Sequence, residues 1–192
     1  MKINLQYNQF IILTISLMMV IPSWIFSFFQ YPHEDLVLKI LNDTIDTAYY
    51  PLAINFSEFN FKPLYELNIT EDAGITAYPF LSVIIISFLW KLVGPFSFFL
   101  IQVASIFITL NIFYNLSNDN KINKNKSIFI SIFCLTFIFF FDVLLNFFDS
   151  KFLQTIYNNL QNFYYFRFPR PIITNLFLFA YLYFCFEVFF KN

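Results

Sequence analysis

Hydrophobic positions along the chain gather in long, uninterrupted runs. Four of them, residues 10–29, 96–116, 128–148 and 172–190, hold about twenty residues each. A helix of that length covers about 30 Å, which matches the hydrocarbon thickness of a bilayer. The pattern predicts an all-α, polytopic membrane protein with about four transmembrane helices, and residues 1–192 form a single membrane domain in this interpretation.

The predicted outer loop, residues 30–95, contains two shorter helical patterns. Residues 35–47 alternate apolar and polar positions at helical spacing, which predicts a juxtamembrane helix lying on the membrane surface. Residues 78–92 are apolar but cover only about 22 Å as a helix, which is too short for a straight span. The sequence therefore predicts a second juxtamembrane helix ended by Gly94 and Pro95, with a short tilted span as the alternative.

The distribution of lysines favours the first of these topologies. If residues 78–92 do not cross, the lysine-rich turn at 121–126 and Lys191 both lie in the cytosol with the amino terminus. That arrangement satisfies the positive-inside rule. It predicts a bacterial inner-membrane protein with both termini cytosolic and a second outer loop at 149–171.

Composition agrees with a membrane protein. The chain is 59% hydrophobic and 24% aromatic, and only 12% of it is charged, whereas soluble domains are about 25% charged. With a net charge of −1, no nucleic-acid partner is expected.

Acidic residues concentrate in the first outer loop. Eight of the twelve carboxylates lie between residues 30 and 77 against two lysines, a formal charge of −6. His33, Glu34 and Asp35 stand at its start, where two carboxylates and an imidazole could supply a general base. The alternative is a solvated helix start, because the helix dipole favours acidic side chains in the first turn. One imidazole and two carboxylates form no recognised metal-ligand spacing, so no metal site or other cofactor is predicted, and a divalent metal is left open.

Basic residues mark the second outer loop. Arg167 and Arg170 lie in the sequence Arg-Phe-Pro-Arg-Pro, whose prolines favour an extended, stiff backbone. The planar guanidinium group matches phosphate oxygens, which suits a lipid-phosphate head group. Snorkelling to the membrane interface is the alternative.

Asp142 is a further candidate because ionisable residues within spans are usually functional, although near a span end it could simply reach water. Asp72 is the last candidate.

The order of these features resembles the amino-terminal part of the GT-C superfamily of integral-membrane glycosyltransferases, which use polyprenyl-phosphate-linked sugars. Members begin with one span, followed by a large outer loop with an early catalytic acid and a juxtamembrane helix that ends near a glycine. The matching stretches are Glu34-Asp35, Tyr49-Tyr50-Pro51, Lys62-Pro63-Leu64-Tyr65, Tyr78-Pro79 through Leu92-Val93-Gly94, and the lysine-rich turn at 121–126.

The resemblance implies sugar transfer on the outer face of the membrane. Asp35, with Glu34 beside it, would take the proton of the acceptor hydroxyl, and Arg167 and Arg170 would stabilise the departing phosphate. His33, Asp72 and Asp142 complete the expected substrate-binding set. The expected partners are the lipid-linked sugar and membrane lipid.

Two departures from the family pattern qualify this expectation. Many members carry an aspartate where this chain has Arg-Phe-Pro-Arg, and the family has more than four spans. The chain therefore looks like an amino-terminal fragment or one part of a split glycosyltransferase, with the remainder as a partner. A lipid carrier or flippase fragment and a non-enzymatic membrane subunit are the alternatives from other functional classes.

Overall fold

The computed structural model contains no strand in the residues that it describes. These are residues 2–30, 33–42, 49–59, 80–119, 123–147, 151–152, 154–155 and 172–190, with side chains described except at 2–6, 33–35, 42, 119, 124, 137–147, 172, 174 and 190. The helices longer than one turn within these ranges are α1 (Lys2–Gln30), α2 (His33–Asn42), α3 (Tyr49–Ser57), α4 (Phe80–Val93), α5 (Phe96–Asp119), α6 (Lys124–Phe147) and α7 (Ile172–Phe190).

Two helices of the described part of the chain have the length and composition of a membrane span. They are Tyr7–Gln30, with mean hydropathy 2.1, and Phe96–Asn118, with mean hydropathy 2.0. Shorter apolar helical stretches occur at Phe80–Val93, Asn125–Thr136 and Asn175–Phe189. The first and second predicted spans thus coincide with helices of sufficient length and hydropathy.

The pairing of α1 with α5 fixes the orientation of these two helices. The amide nitrogen of Asn8 donates to the hydroxyl of Tyr114 at 2.8 Å, and both side chains are buried. Sixteen residues further along α1, the indole nitrogen of Trp24 donates to the amide oxygen of Gln102 at 2.8 Å. The start of α1 therefore meets the end of α5, and the end of α1 meets the start of α5. The two helices are antiparallel.

Helix α5 is the centre of the bundle, since it packs against α1, α4, α6 and α7. The connection into α6 is short, and Asn123 caps the new helix. Its side-chain oxygen accepts a hydrogen bond from the backbone N–H of Asn125 at 3.1 Å, which satisfies a donor that the helix itself leaves free.

Helices α2, α3 and α4 lie where α1 ends and α5 begins. Helix α2 packs on α1, α3 packs on α2 and α4, and α4 packs on α5. The corner between α4 and α5 is Gly94, at φ +59°, followed by Pro95. The N–H of Gly94 donates to the carbonyl of Trp90 at 2.7 Å, closing α4 in the left-handed conformation common at helix ends. As predicted from the sequence, α4 stops at this pair.

Polar side chains are buried inside the bundle, and many large apolar side chains lie on its surface. The buried polar side chains are mostly hydroxyls, and several of these, including Ser16, Thr109 and Ser131, donate to the carbonyl of their own helix four residues earlier. Large apolar side chains, in contrast, are exposed along α1, α4 and α7, among them Phe10, Phe88 and others. Soluble monomers rarely expose apolar patches of such extent, so this distribution favours a bilayer as the surrounding medium.

The helix limits differ in detail from the predicted ones. Helix α2 begins two residues before the predicted start of the 35–47 helix, and its described part ends at Asn42. Helix α3 was not predicted. Pro51 is the third residue of α3, within the first turn, where its missing N–H removes no helical hydrogen bond. Within the predicted second outer loop, residues 151, 152, 154 and 155 are helical.

We expect Tyr114→Phe to lower the free energy of unfolding by about 1 kcal/mol. The substitution leaves the buried amide of Asn8 without its acceptor, and hydrogen bonds between membrane helices contribute about 0.6 to 1.7 kcal/mol. Unfolding in mixed micelles by titration with a denaturing detergent measures the change. Tyr7→Phe is the matched control, because Tyr7 lies on the same helix as Asn8 and is 64% exposed. An equal loss in both variants would contradict the role of this hydrogen bond.

Candidate functional site

Two acidic residues of the predicted first outer loop, Glu34 and Asp35, stand at the start of helix α2. Leu36, Val37 and Leu41 are buried and hold this helix against the protein. His33, Glu34 and Asp35 form the turn that precedes them, where the helix dipole favours carboxylates. Burial of the apolar face therefore fixes where the acidic turn starts, directly after the end of α1.

An apolar groove lies beside this turn. Its volume is about 630 Å³, within the range typical of ligand sites. The ends of α1 and α4, the start of α5 and the apolar face of α2 form its walls. The lining residues are Trp24, Ile25, Phe28, Phe29, Leu36, Val37, Val93, Pro95, Phe96 and Phe99.

The groove presents carbon surfaces almost throughout. Among the side chains of the described lining residues, only that of Trp24 carries a polar group, and its indole N–H is already bonded to Gln102. The Trp24 ring meets Phe99 edge to face, with centroids 5.4 Å apart and planes at 81°. Because buried polar groups need partners and the described lining side chains offer no free one, the ligand that this groove suits is a hydrocarbon chain.

Aromatic side chains fix α3 and α4 behind the corner that borders the groove. The centroid of the Tyr50 ring lies 5.2 Å from that of Trp90 and 6.4 Å from that of Phe98. The centroids of Trp90 and Phe98 are 6.0 Å apart. The hydroxyls of Tyr49 and Ser82 are 3.4 Å apart, with both residues buried. These contacts couple the short helices to the start of α5, so the groove is bordered by a packed scaffold.

A positive charge also lies at the end of α4. The ammonium group of Lys91 stands 4.6 Å from the centre of the Phe59 ring, a cation–π contact, and both side chains are exposed. Phe59 has φ 60°, which is uncommon for a residue other than glycine. The contact joins the end of α3 to the end of α4.

The predicted site residues fall in different parts of the chain. Backbone positions are described for His33, Glu34 and Asp35 in α2, and for Asp142 in α6, five residues before the end of that helix. Their side chains lie outside the described set. The remaining candidates lie outside the described residues, and these are Asp72, Arg167 and Arg170.

Among the described side chains, no group of three or more His, Cys, Asp or Glu is placed to hold a metal ion. The groove and the Trp24–Gln102 hydrogen bond were not predicted. Their only signal in the sequence is a tryptophan at the end of one apolar run and a glutamine near the start of another. The antiparallel pairing of α1 and α5 is needed to bring these two together.

Comparison with protein-family models, with characterised proteins and with solved structures finds no match to this chain.

Filling the groove tests whether a hydrocarbon chain occupies it. We expect Ile25→Trp to weaken binding of a fluorescent long-chain lipid about tenfold. The larger ring displaces about two methylene groups, which lose about ten packing contacts worth ~0.1–0.2 kcal/mol each, and 1.4 kcal/mol corresponds to a factor of ten. Phe26→Trp is the control, because Phe26 is the next residue of α1, is 65% exposed and does not line the groove. Unchanged binding by the Ile25 variant would contradict occupancy of the groove.

Proposed function

We propose that this chain is an integral membrane protein that takes part in sugar transfer from a lipid-phosphate-linked donor at the outer face of the membrane. The acidic turn of α2 and the neighbouring apolar groove would form one site. The groove holds part of the donor's hydrocarbon chain, and the acidic turn receives its sugar.

One observation carries this proposal. Leu36 and Val37 line the groove, and Asp35 directly precedes them in the same helix. Adjacent α-carbons are about 3.8 Å apart, so the backbone of the acidic turn lies at the wall of the groove. A lipid-linked sugar joins a long apolar chain to a polar head, and the site offers a surface suited to each part.

The chemistry assigned to the residues is a single displacement. Asp35 accepts the proton of the acceptor hydroxyl while its oxygen bonds to the anomeric carbon. The bond from that carbon to the phosphate oxygen breaks, and the phosphate leaves with the electron pair. Glu34 lies beside the base, His33 and Asp72 contribute to binding of the sugar, and Arg167 and Arg170 stabilise the negative charge on the phosphate. Asp142 is assigned to the substrate-binding set as well.

The topology proposed for this site has four spans, α1, α5, α6 and α7, with both termini in the cytosol of a bacterial inner membrane. The antiparallel pairing of α1 and α5 supports it. Residues 31–95 connect the end of α1 to the start of α5, and these lie at the same end of the bundle. With α1 and α5 as spans, α4 alone cannot cross the bilayer between them, which agrees with its length of 14 residues.

The buried hydroxyls support an enzyme over a lipid carrier or flippase. A carrier requires polar groups facing one another along the spans. In the described spans, Ser16, Thr109 and Ser131 instead donate to carbonyls of their own helices. Two polar pairs do face one another between α1 and α5, Asn8–Tyr114 and Trp24–Gln102, but they lie near the two ends of the helix pair and not along its middle. A partner chain that supplies the rest of a split glycosyltransferase stays part of the proposal.

Replacing the proposed base tests the function. We expect Asp35→Asn to lower the rate of sugar transfer about 10²- to 10⁴-fold, because it removes the proton acceptor. The rate is measured in membranes prepared from cells carrying the full genomic locus, with a polyprenyl-phosphate-linked sugar as donor. Glu58→Gln is the control, since it removes an exposed carboxylate at the end of α3. Full activity of the Asp35 variant would overturn the assignment.

Labelling of single cysteines tests the topology. In a variant whose two native cysteines are replaced by alanine, we expect an impermeant maleimide to label Glu58→Cys in intact spheroplasts. Lys126→Cys should react only after the membrane is opened. Both native side chains are exposed, so access to the protein surface is not limiting. Labelling of the Lys126 position from outside would exclude this arrangement of spans.

A further inference from the structure

We propose that Gln102 is a positioning residue that sets the shape of the apolar groove by holding the indole ring of Trp24 in place. The inference rests on the proposed function, because it assumes that the groove receives the hydrocarbon chain of a lipid. It adds a residue that does not itself line the groove.

Two contacts with α5 restrict the position of Trp24, which lines the groove. It is 8% exposed, its N–H is bonded to Gln102 at 2.8 Å, and its ring meets the edge of Phe99. The hydrogen bond and the aromatic contact both come from α5. Together they hold the ring against α5 and leave its other side to the groove.

The part of α1 that carries Trp24 lies directly after a weak point in the helix. Pro22 lies within α1, and its nitrogen cannot donate to the carbonyl of Met18. The segment after it supplies four lining residues of the groove, Trp24, Ile25, Phe28 and Phe29. Pro22 removes one backbone hydrogen bond there. The position of this segment against α5 therefore depends more on the side-chain hydrogen bond to Gln102 than it would in an unbroken helix.

The chemistry of the indole group determines the effect of losing this bond. Without an acceptor, a buried N–H carries an unsatisfied donor, and tryptophan in membranes favours the interface where water can accept. The ring of Trp24 then turns outward and the wall of the groove is lost. The lipid chain is held less well, although the acidic turn of α2 is unchanged.

Fluorescence of Trp24 reports this position directly. The chain contains two tryptophans, so Trp90→Phe leaves Trp24 as the sole emitter. The variant is reconstituted in phosphatidylcholine vesicles that contain lipid brominated in mid-chain. We expect Trp24 to emit at short wavelength and the bromines to quench this emission. Adding Gln102→Leu should shift the emission to longer wavelength. Fluorescence lifetimes separate proteins whose Trp24 ring lies against α5 from proteins whose ring has turned outward. The ratio of the first population to the second should fall about three- to fifteenfold, the equivalent of one hydrogen bond between membrane helices.

Two further variants separate a positioning role from general destabilisation. Gln102→Glu keeps an acceptor oxygen at the same length and should restore the short-wavelength emission. Asn111→Leu removes a part-buried amide from the same helix, one that donates to the carbonyl of Phe107, and should leave Trp24 unaffected. Unchanged emission in Gln102→Leu, or an equal shift in Asn111→Leu, would overturn the proposal.

The kinetic result distinguishes this inference from the proposed function. If sugar transfer occurs, Gln102→Leu should raise the KM for the lipid donor about three- to fifteenfold with kcat retained, because the base is untouched. A Trp24→Phe protein has lost the same hydrogen bond, so Gln102→Leu should add nothing in that background. If no transfer is found but the fluorescence results hold, the proposed reaction fails while the positioning of Trp24 by Gln102 stands.

Discussion

The arrangement of this protein depends on how α1 and α5 are held together. In a bilayer, apolar surfaces gain little from leaving lipid for protein, so helix pairs depend on close packing and on polar groups that satisfy each other. The Asn8–Tyr114 and Trp24–Gln102 hydrogen bonds meet this need near the two ends of the pair. They fix direction and register together, and the short helices between the two spans then have only one end of the bundle on which to pack.

Helix α4 is a short apolar helix that packs at the end of the bundle where α1 ends and α5 begins. One of its faces, with Val83 and Ile86, is buried, and the other exposes Leu81 and Phe88. A helix that is apolar on both faces has no side suited to water. Its 14 residues are too few to cross a bilayer unaided, and packing on α3 and α5 buries one of its two apolar faces.

Much of the helical content could be predicted from the sequence, because long apolar runs and the Gly94–Pro95 pair are local signals. The first two runs matched helices with the length and hydropathy of spans, and the stop of α4 was placed correctly. Helix α3 was not predicted, since proline usually breaks a helix, but Pro51 lies in a first turn, where its missing N–H removes no helical hydrogen bond. The groove could not be predicted, since Trp24 and Phe99 are 75 positions apart and meet only through helix pairing.

The backbone conformation of Gly94, and not a lack of space, limits which residues can occupy the corner between α4 and α5. A β-carbon built there meets no atom within 4 Å, so the position has room for a side chain. What an L-residue cannot accept without cost is the φ of +59°, which disfavours it by about 1–2 kcal/mol. A D-alanine introduced by chemical synthesis adopts this angle naturally and would fill the open space. The turn from α4 into α5 therefore requires a residue that accepts a positive φ, not a small residue.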